Sequence, residues 1–200
     1  MKKLLFIINP KAGVKKNKHF VEDALEIFEK AGYKVGVKYT KKRADGTRIA
    51  RDYGAKADLI VCMGGDGTLN EVMQGMLEGE ISTPLGYIPA GSTNDFANSL
   101  GLRTNPKDQA EFIMETEAKS LDLGWFNGRY FVYTASAGIF TETSYSTPQE
   151  LKNKLGHFAY ILHGIREVFK IRRLKLRIET EDDNGIEYSV REIFLSGLLT

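Results

Sequence analysis

Short apolar runs alternate with helical periodicities over the first 124 residues. Residues 3–8 predict a strand. Residues 17–31 predict a helix, because Phe20, Ala24, Ile27, Phe28 and Ala31 recur at the spacing of one helical face and Gly32 supplies a stop. The pattern then repeats: strand 33–40 before helix 47–53, strand 58–63 before helix 69–77, and strand 85–88 before a helix beginning near Asn94. A last helix, 106–115, has proline in its first turn, where the missing amide hydrogen costs little. Such alternation predicts an α/β domain, residues 1–124, built as a doubly wound parallel sheet with helices on both faces.

After Leu123-Gly124 the pattern changes. Residues 125–126 and 130–135 are aromatic and β-branched runs joined by Asn127-Gly128, a strong hairpin signal, so a second, β-rich domain is expected over residues 125–200. It holds one long helical pattern, 148–170, in which Phe158, Ile161, Leu162, Ile165, Val168 and Phe169 keep helical spacing. Strands are expected at 174–180 and 188–199, flanking the polar turn Glu181-Asp182-Asp183-Asn184-Gly185. The apolar run at Leu198-Leu199-Thr200 leads to the expectation that the sequence is a fragment and the β-rich domain truncated.

The chemistry sits at strand ends. The strand 58–63 runs into Gly64-Gly65-Asp66-Gly67-Thr68-Leu69-Asn70-Glu71, the start of a helix. Glycines let an anion approach the main chain without meeting a Cβ, and the helix N-terminus offers free amide hydrogens and a partial positive charge. Three glycines in four positions at a strand's carboxyl end favour a phosphate grip over a plain capping turn. Neither G-x-x-x-x-G-K-[ST] nor G-x-G-x-x-G occurs, so a Walker-type ATPase and an ordinary dinucleotide dehydrogenase lose support. Asp66 beside phosphates fits a magnesium partner or an acceptor of a hydroxyl proton, both belonging to phosphoryl transfer, or simply a helix cap.

A second turn, Pro89-Ala90-Gly91-Ser92-Thr93-Asn94-Asp95, follows the strand 85–88, and Asn9-Pro10-Lys11-Ala12-Gly13 follows the first strand. Ser92 and Thr93 can donate to phosphate, and Asn94 and Asp95 can cap the helix or position magnesium; taken alone, this second turn reads as a cap. Three such turns from parallel strands would meet on one rim of the sheet, where open α/β folds bind ligands.

Composition narrows the classes. Hydrophobic residues make up 42% of the chain and charged residues 27%, enough for a substantial core and unlike a disordered chain. With 28 basic and 26 acidic side chains the net charge is +2, which gives no support for nucleic-acid binding. A lone cysteine, Cys62, rules out an internal disulfide and fits a reducing, cytoplasmic setting. The N-terminal apolar run stops at Asn9-Pro10, too short for a signal peptide, and no window approaches the ~20 apolar residues of a membrane span. His19, His157 and His163 lack metal-ligand spacing. The basic residues Arg166, Lys170, Arg172, Arg173, Lys175 and Arg177 fit either an anionic bilayer surface or a solvated helix face, and Lys38, Lys41, Lys42 and Arg43 either steer phosphates or form a plain charged loop.

Taken together, Asn9-Pro10-x-Ala12-Gly13, Gly64-Gly65-Asp66-Gly67-Thr68-x-Asn70-Glu71-Val72 and Pro89-x-Gly91-Ser92-x-Asn94-Asp95-Phe96-Ala97 resemble the diacylglycerol-kinase-type catalytic domain. That superfamily includes bacterial lipid kinases and the sphingosine and ceramide kinases. The resemblance extends along the chain through Ser120-Leu121-Asp122-Leu123-Gly124 and Leu155-Gly156-x-x-x-Tyr160-Ile161. It implies an N-terminal phosphofructokinase- or NAD-kinase-like sheet domain followed by a β-sandwich domain that shares the lipid cleft. It also implies an ATP-dependent kinase acting on a lipid hydroxyl, diacylglycerol being the commonest substrate class.

By the same resemblance, ATP would be held by Asn9, Pro10, Lys11, Ala12, Gly13, Thr40, Gly64, Gly65, Asp66, Gly67, Thr68, Leu69, Asn70, Glu71, Ser92 and Asn94. Asp66 is the catalytic candidate, and Asp66, Asp95 and Asp122 are the acidic residues implied around Mg2+, with the direct ligands and a general-base glutamate expected beyond Thr200. A lipid substrate and peripheral contact with the inner membrane face are implied; the lipid's identity and whether a homodimer forms stay open. The alternatives are an NAD-kinase-like enzyme, which the Asn94-Asp95-Phe96 turn argues against, and a non-catalytic nucleotide-binding relative.

Overall fold

The computed structural model describes residues 1–12, 19–126, 129–138, 174–180, 183–190 and 192–196. Two compact units divide the chain, one of Met1–Tyr133 and one of Thr134–Ser196.

In the first unit, strands β1 (Lys2–Ile8), β2 (Tyr33–Tyr39), β3 (Leu59–Gly64) and β4 (Leu85–Pro89) form a parallel sheet in the order β2-β1-β3-β4. The α/β parallel sheet expected from the alternation is therefore present. The central strands are buried on both faces, which is why 4–8 and 59–64 are continuous apolar runs and not alternating ones. Edge strand β2 carries Lys34 and Lys38 instead.

Side chains of successive strand residues enter two separate cores. On one face Leu5, Ile7, Ile60, Cys62 and Tyr87 meet Ile49, Leu69, Val72, Met76 and Phe96 from helices α2 (Asp45–Tyr53), α3 (Asp66–Glu78) and α4 (Asp95–Ser99). On the other, Leu4, Phe6, Ile8, Val61, Met63 and Ile88 meet Val21, Ala24, Phe28 and Ala110 from α1 (His19–Lys30) and α5 (Pro106–Glu115). Phe6 and Phe28 pack edge to face at 5.5 Å, fixing α1 on β1. Helix α5 begins at its proline, and the Asn105 side chain accepts the Lys107 amide hydrogen at 2.9 Å as its cap.

Helices α2 and α3 start earlier than the local pattern predicts, at Asp45 and Asp66. The reason for α3 is that the Gly65 carbonyl already accepts the amide hydrogens of Thr68 and Leu69, at 2.9 and 3.1 Å, so the glycine turn is itself the first turn of the helix. For α2, the Asp45 amide donates to the Lys42 carbonyl at 3.3 Å, but the acceptor for Gly46 and for Ala44 just before the helix comes from α3, outside the local sequence.

Strands β5 (Gly124–Phe126) and β6 (Arg129–Phe131) pair antiparallel, and both fall within the first unit. The Trp125 and Tyr130 rings pack there at 4.5 Å, tilted by 60°, although Trp125 stays 59% exposed.

In the second unit, β7 (Thr134–Gly138) pairs antiparallel with β10 (Glu192–Ser196), and β8 (Leu174–Thr180) with β9 (Asp183–Val190). The second hairpin strand thus begins at Asp183, inside the segment expected as a turn, and the expected strand 188–199 is divided between β9 and β10. The helical pattern 148–170 and the Asn127-Gly128 turn lie outside the described residues.

Candidate functional site

The strand order sends the chain outward in opposite directions from β1 and β3, and the carboxyl ends of these neighbours form the crevice where such sheets bind ligands. Asn9, just past β1, closes it. Its amide donates to the Met63 carbonyl at 2.9 Å, and its side-chain Nδ2 donates to Thr68 Oγ1 at 2.8 Å. The Asn9 side-chain oxygen accepts the Lys11 amide hydrogen at 3.0 Å, and its carbonyl accepts that of Ala12 at 3.2 Å, which folds the segment after β1 into a tight turn. Pro10 and Lys11 share that turn, whereas Gly13 lies outside the described residues. Thr40, buried at the end of β2, donates its amide to the Ile8 carbonyl at 2.9 Å. Asn9, Thr40 and the Gly64–Thr68 segment are thereby brought to one rim of the sheet.

Two glycine turns touch across that rim. A Cβ on Gly91 would sit 2.7 Å from the Gly65 Cα, so this approach requires glycine at 91, while one on Gly65 would sit 3.2 Å from the Gly91 Cα, a tight contact. The Ala90 amide donates to the Gly64 carbonyl at 2.7 Å. Asn94, in the left-handed region at φ 52°, turns its side chain back on its own loop, where Oδ1 accepts the Gly91 amide hydrogen at 2.8 Å and Nδ2 donates to the Gly91 carbonyl at 3.2 Å. Asn94 therefore shapes the turn, while Ser92 and Thr93 remain exposed on it. At the start of α3 the amides of Asp66 and Gly67 have no acceptor among the described residues. Leu69 is a core side chain, and Asn70 is half-buried.

The carboxylates of Asp66, Glu71 and Asp45 are engaged with backbone. Asp66 Oδ2 accepts the Asp95 amide hydrogen at 3.1 Å and Oδ1 accepts that of Phe96 at 3.2 Å, which ties the first glycine turn to α4. Glu71 accepts the amide hydrogens of Ala44 and Gly46 at 2.8 and 3.1 Å. Asp45 accepts those of Lys41 and Lys42 at 2.8 and 3.1 Å, and these bonds hold its carboxyl below the usual carboxylate range. The Asp66 side chain thus meets the backbone of Asp95. Asp122 lies exposed in the segment before β5, and among the described residues no group of three His, Cys, Asp or Glu side chains gathers.

Two supports were not legible in the sequence. The Tyr87 hydroxyl, buried within β4, donates to the Gly64 carbonyl at 3.1 Å; burial, and then the Asp66 charge, push its pKa up, so it stays a donor. Gln109 of α5, also buried, donates to the Tyr87 carbonyl at 3.0 Å and accepts the Arg103 amide hydrogen at the same distance. A tyrosine within an apolar strand and an uncharged amide on the inner face of a helix were the only signals.

This geometry occupies a segment with known counterparts. Residues 3–126 match the sequence profile of the diacylglycerol kinase catalytic domain. The chain belongs to the diacylglycerol kinase catalytic domain family. It is 37% identical over 198 residues to a diacylglycerol kinase of Staphylococcus epidermidis, covering 98% of this chain and 62% of that protein. It is 37% identical over 181 residues to a diacylglycerol kinase of Bacillus subtilis, covering 90% and 60%. The crystal structure of a diacylglycerol kinase from Bacillus anthracis superposes with a TM-score of 0.75 at 28% identity, over 98% of this chain and 66% of that one. Another structure from the same organism gives 0.78 at 30% identity, over 96% and 64%. The chain spans about three fifths of the length of the curated relatives it matches. Within this family the two glycine turns, Asn9, Thr40 and Asp122 all fall inside the matched segment.

Proposed function

We propose that this chain forms the nucleotide-binding part of an ATP-dependent lipid kinase that transfers the γ-phosphoryl group to a lipid hydroxyl. The observation that carries the reading is the contact of Gly65 with Gly91 at the sheet's switch point, beside the Asp66 and Gly67 amides, which have no acceptor among the described residues. The amides and the positive end of α3 suit phosphate oxygens, which also take hydrogen bonds from hydroxyls such as that of Ser92. Phosphoryl transfer asks little of a protein beyond such positioning and charge stabilisation. Diacylglycerol, the substrate in the relatives' names, is the proposed acceptor class.

The donor set fits magnesium that arrives with the nucleotide, held mostly by phosphate and water, since the described residues gather no cluster of three ligating side chains. When bound, the ion neutralises phosphate charge. Asp66, Asp95 and Asp122 are the candidates that would meet it. Asp66 retains lone pairs beyond its two amide bonds, so it can also accept the lipid hydroxyl's proton. Contact with the lipid would be made from the membrane surface, as no helix among the described residues is long and apolar enough to cross a bilayer. Of the basic cluster that suits an anionic surface, Lys175 and Arg177 lie in β8 and the other four residues outside the described segments.

The test is transfer of labelled γ-phosphate from ATP by the intact protein to a panel of lipids in vesicles, with NAD as a parallel acceptor. Phosphatidic acid formed from diacylglycerol supports the proposal. Labelled NADP supports the NAD-kinase alternative, and ATP binding without any product supports a regulatory relative.

A further inference from the structure

Glu71 belongs to the motif that the resemblance assigns to the nucleotide, yet its carboxylate is bonded to the start of α2. Oε1 accepts the Ala44 amide hydrogen at 2.8 Å and Oε2 that of Gly46 at 3.1 Å. Helix α2 has no cap from its own flanking side chain; the Asp45 amide finds the Lys42 carbonyl, and Glu71 supplies the acceptors for Ala44 and Gly46 on either side of it. The approach requires Gly46, where a Cβ would lie 2.9 Å from the Glu71 Cβ. Ala44 adopts the left-handed region at φ 65°, a conformation that costs energy for a residue with a Cβ and persists only when its surroundings hold it.

The segment so held is the β2–α2 loop. It leaves the rim at buried Thr40, and its Lys41 and Lys42 amides are fixed by Asp45. Two carboxylates thus tie four backbone amides between Lys41 and Gly46. The side chains of Lys41, Lys42 and Arg43 stand exposed on this loop with no ion-pair partner among the described residues.

We propose that Glu71 is a positioning residue for the nucleotide, acting through the β2–α2 loop, which it holds as a cationic wall for the polyphosphate beside the glycine turns. This rests on the ATP-kinase reading above. Only a carboxylate serves, because two N–H donors converge on one head group; glutamine would turn its own NH2 toward one of them.

The test compares Glu71→Gln, Ala44→Gly and the double variant in the intact protein, measuring ATP KM, lipid KM and kcat. Glu71→Gln raises the ATP KM about tenfold and leaves kcat and lipid KM within about twofold, a split that loss of a loop-holding bond predicts. Ala44→Gly relieves the backbone cost, so the double variant recovers part of the ATP KM. An unchanged ATP KM in Glu71→Gln, a fall confined to kcat, or no recovery in the double variant overturns the role. Amide exchange in the unsubstituted protein gives an independent arm: slow exchange at Ala44 and Gly46, slowed further by ATP, supports it, and exchange as fast as in an open loop overturns it. If the unsubstituted protein fails to bind ATP, the kinase reading falls and this role with it.

Discussion

Asp66 Oδ1 accepts the amide hydrogen of Phe96 at 3.2 Å, joining the first turn of α3 to the first turn of α4 across 30 residues of sequence. One carboxylate therefore holds the two glycine turns in register, and any chemistry it performs is done from a fixed position.

Asp66→Ala removes both the tether and the charge. The expected outcome is loss of lipid phosphorylation to background, with stability lowered by about 1 kcal/mol, the usual value of a lost helix cap. Radiolabel transfer and a thermal melt of the same preparation check the two effects together. A folded variant with full activity contradicts the role.

Gly91→Ala places a methyl group 2.7 Å from the Gly65 Cα, so the turns must part. Overpacking of this kind costs roughly 1–3 kcal/mol. ATP affinity is expected to fall by about tenfold or more, measured by calorimetric titration, because phosphate would have to bridge separated amides.

Gly75→Ala is expected to act on stability from a distance. Its Cβ would run into the Thr47 carbonyl where α3 crosses α2. Urea unfolding should show a loss of about 1–3 kcal/mol. An unchanged midpoint would mean that the two helices are not packed backbone to backbone.

Stability should also decline in alkali. Burial pushes up the pKa of the Cys62 thiol and of the Tyr87 phenol, so the folded state keeps protons that the unfolded chain releases. Their contribution is whole below the unfolded pKa values, about 8.5 for cysteine and about 10 for tyrosine, and is lost as pH rises from there toward the folded ones. Denaturant midpoints measured from pH 7 to 10 should fall above about pH 8.5, with a shallower fall in Cys62→Ala. Iodoacetamide at pH 8 should label Cys62 only after urea is added; rapid labelling of the native protein would contradict its burial.

Acid tests the opposite sign. Asp45, held below the usual range mainly by the Lys41 and Lys42 amides, contributes above its unfolded pKa of about 3.9 and loses that contribution as pH falls through the lower folded value. The expected outcome is that Asp45→Asn lowers the melting temperature at pH 7 and that the gap to the unsubstituted protein narrows by pH 3.

The sequence by itself determined the alternating strands and helices of the first unit, because apolar periodicity is a local signal and central parallel strands must be apolar on both faces. It also marked the glycine turns, since few residue types tolerate a close backbone approach, and their order along the chain pointed to the family. Only the tertiary structure decided which side chains were free for a ligand. Asp66, Glu71 and Asn94 all belong to the recognised motifs, yet each spends side-chain hydrogen bonds on backbone groups. For Asp66 and Glu71 those groups lie 29 and 27 residues away in sequence, brought near by how the elements pack around the sheet. Hydrogen-bond partners at that separation leave no trace in spacing or periodicity. For the same reason the Tyr87 hydroxyl beneath Gly64 became visible only once β3 and β4 were placed side by side.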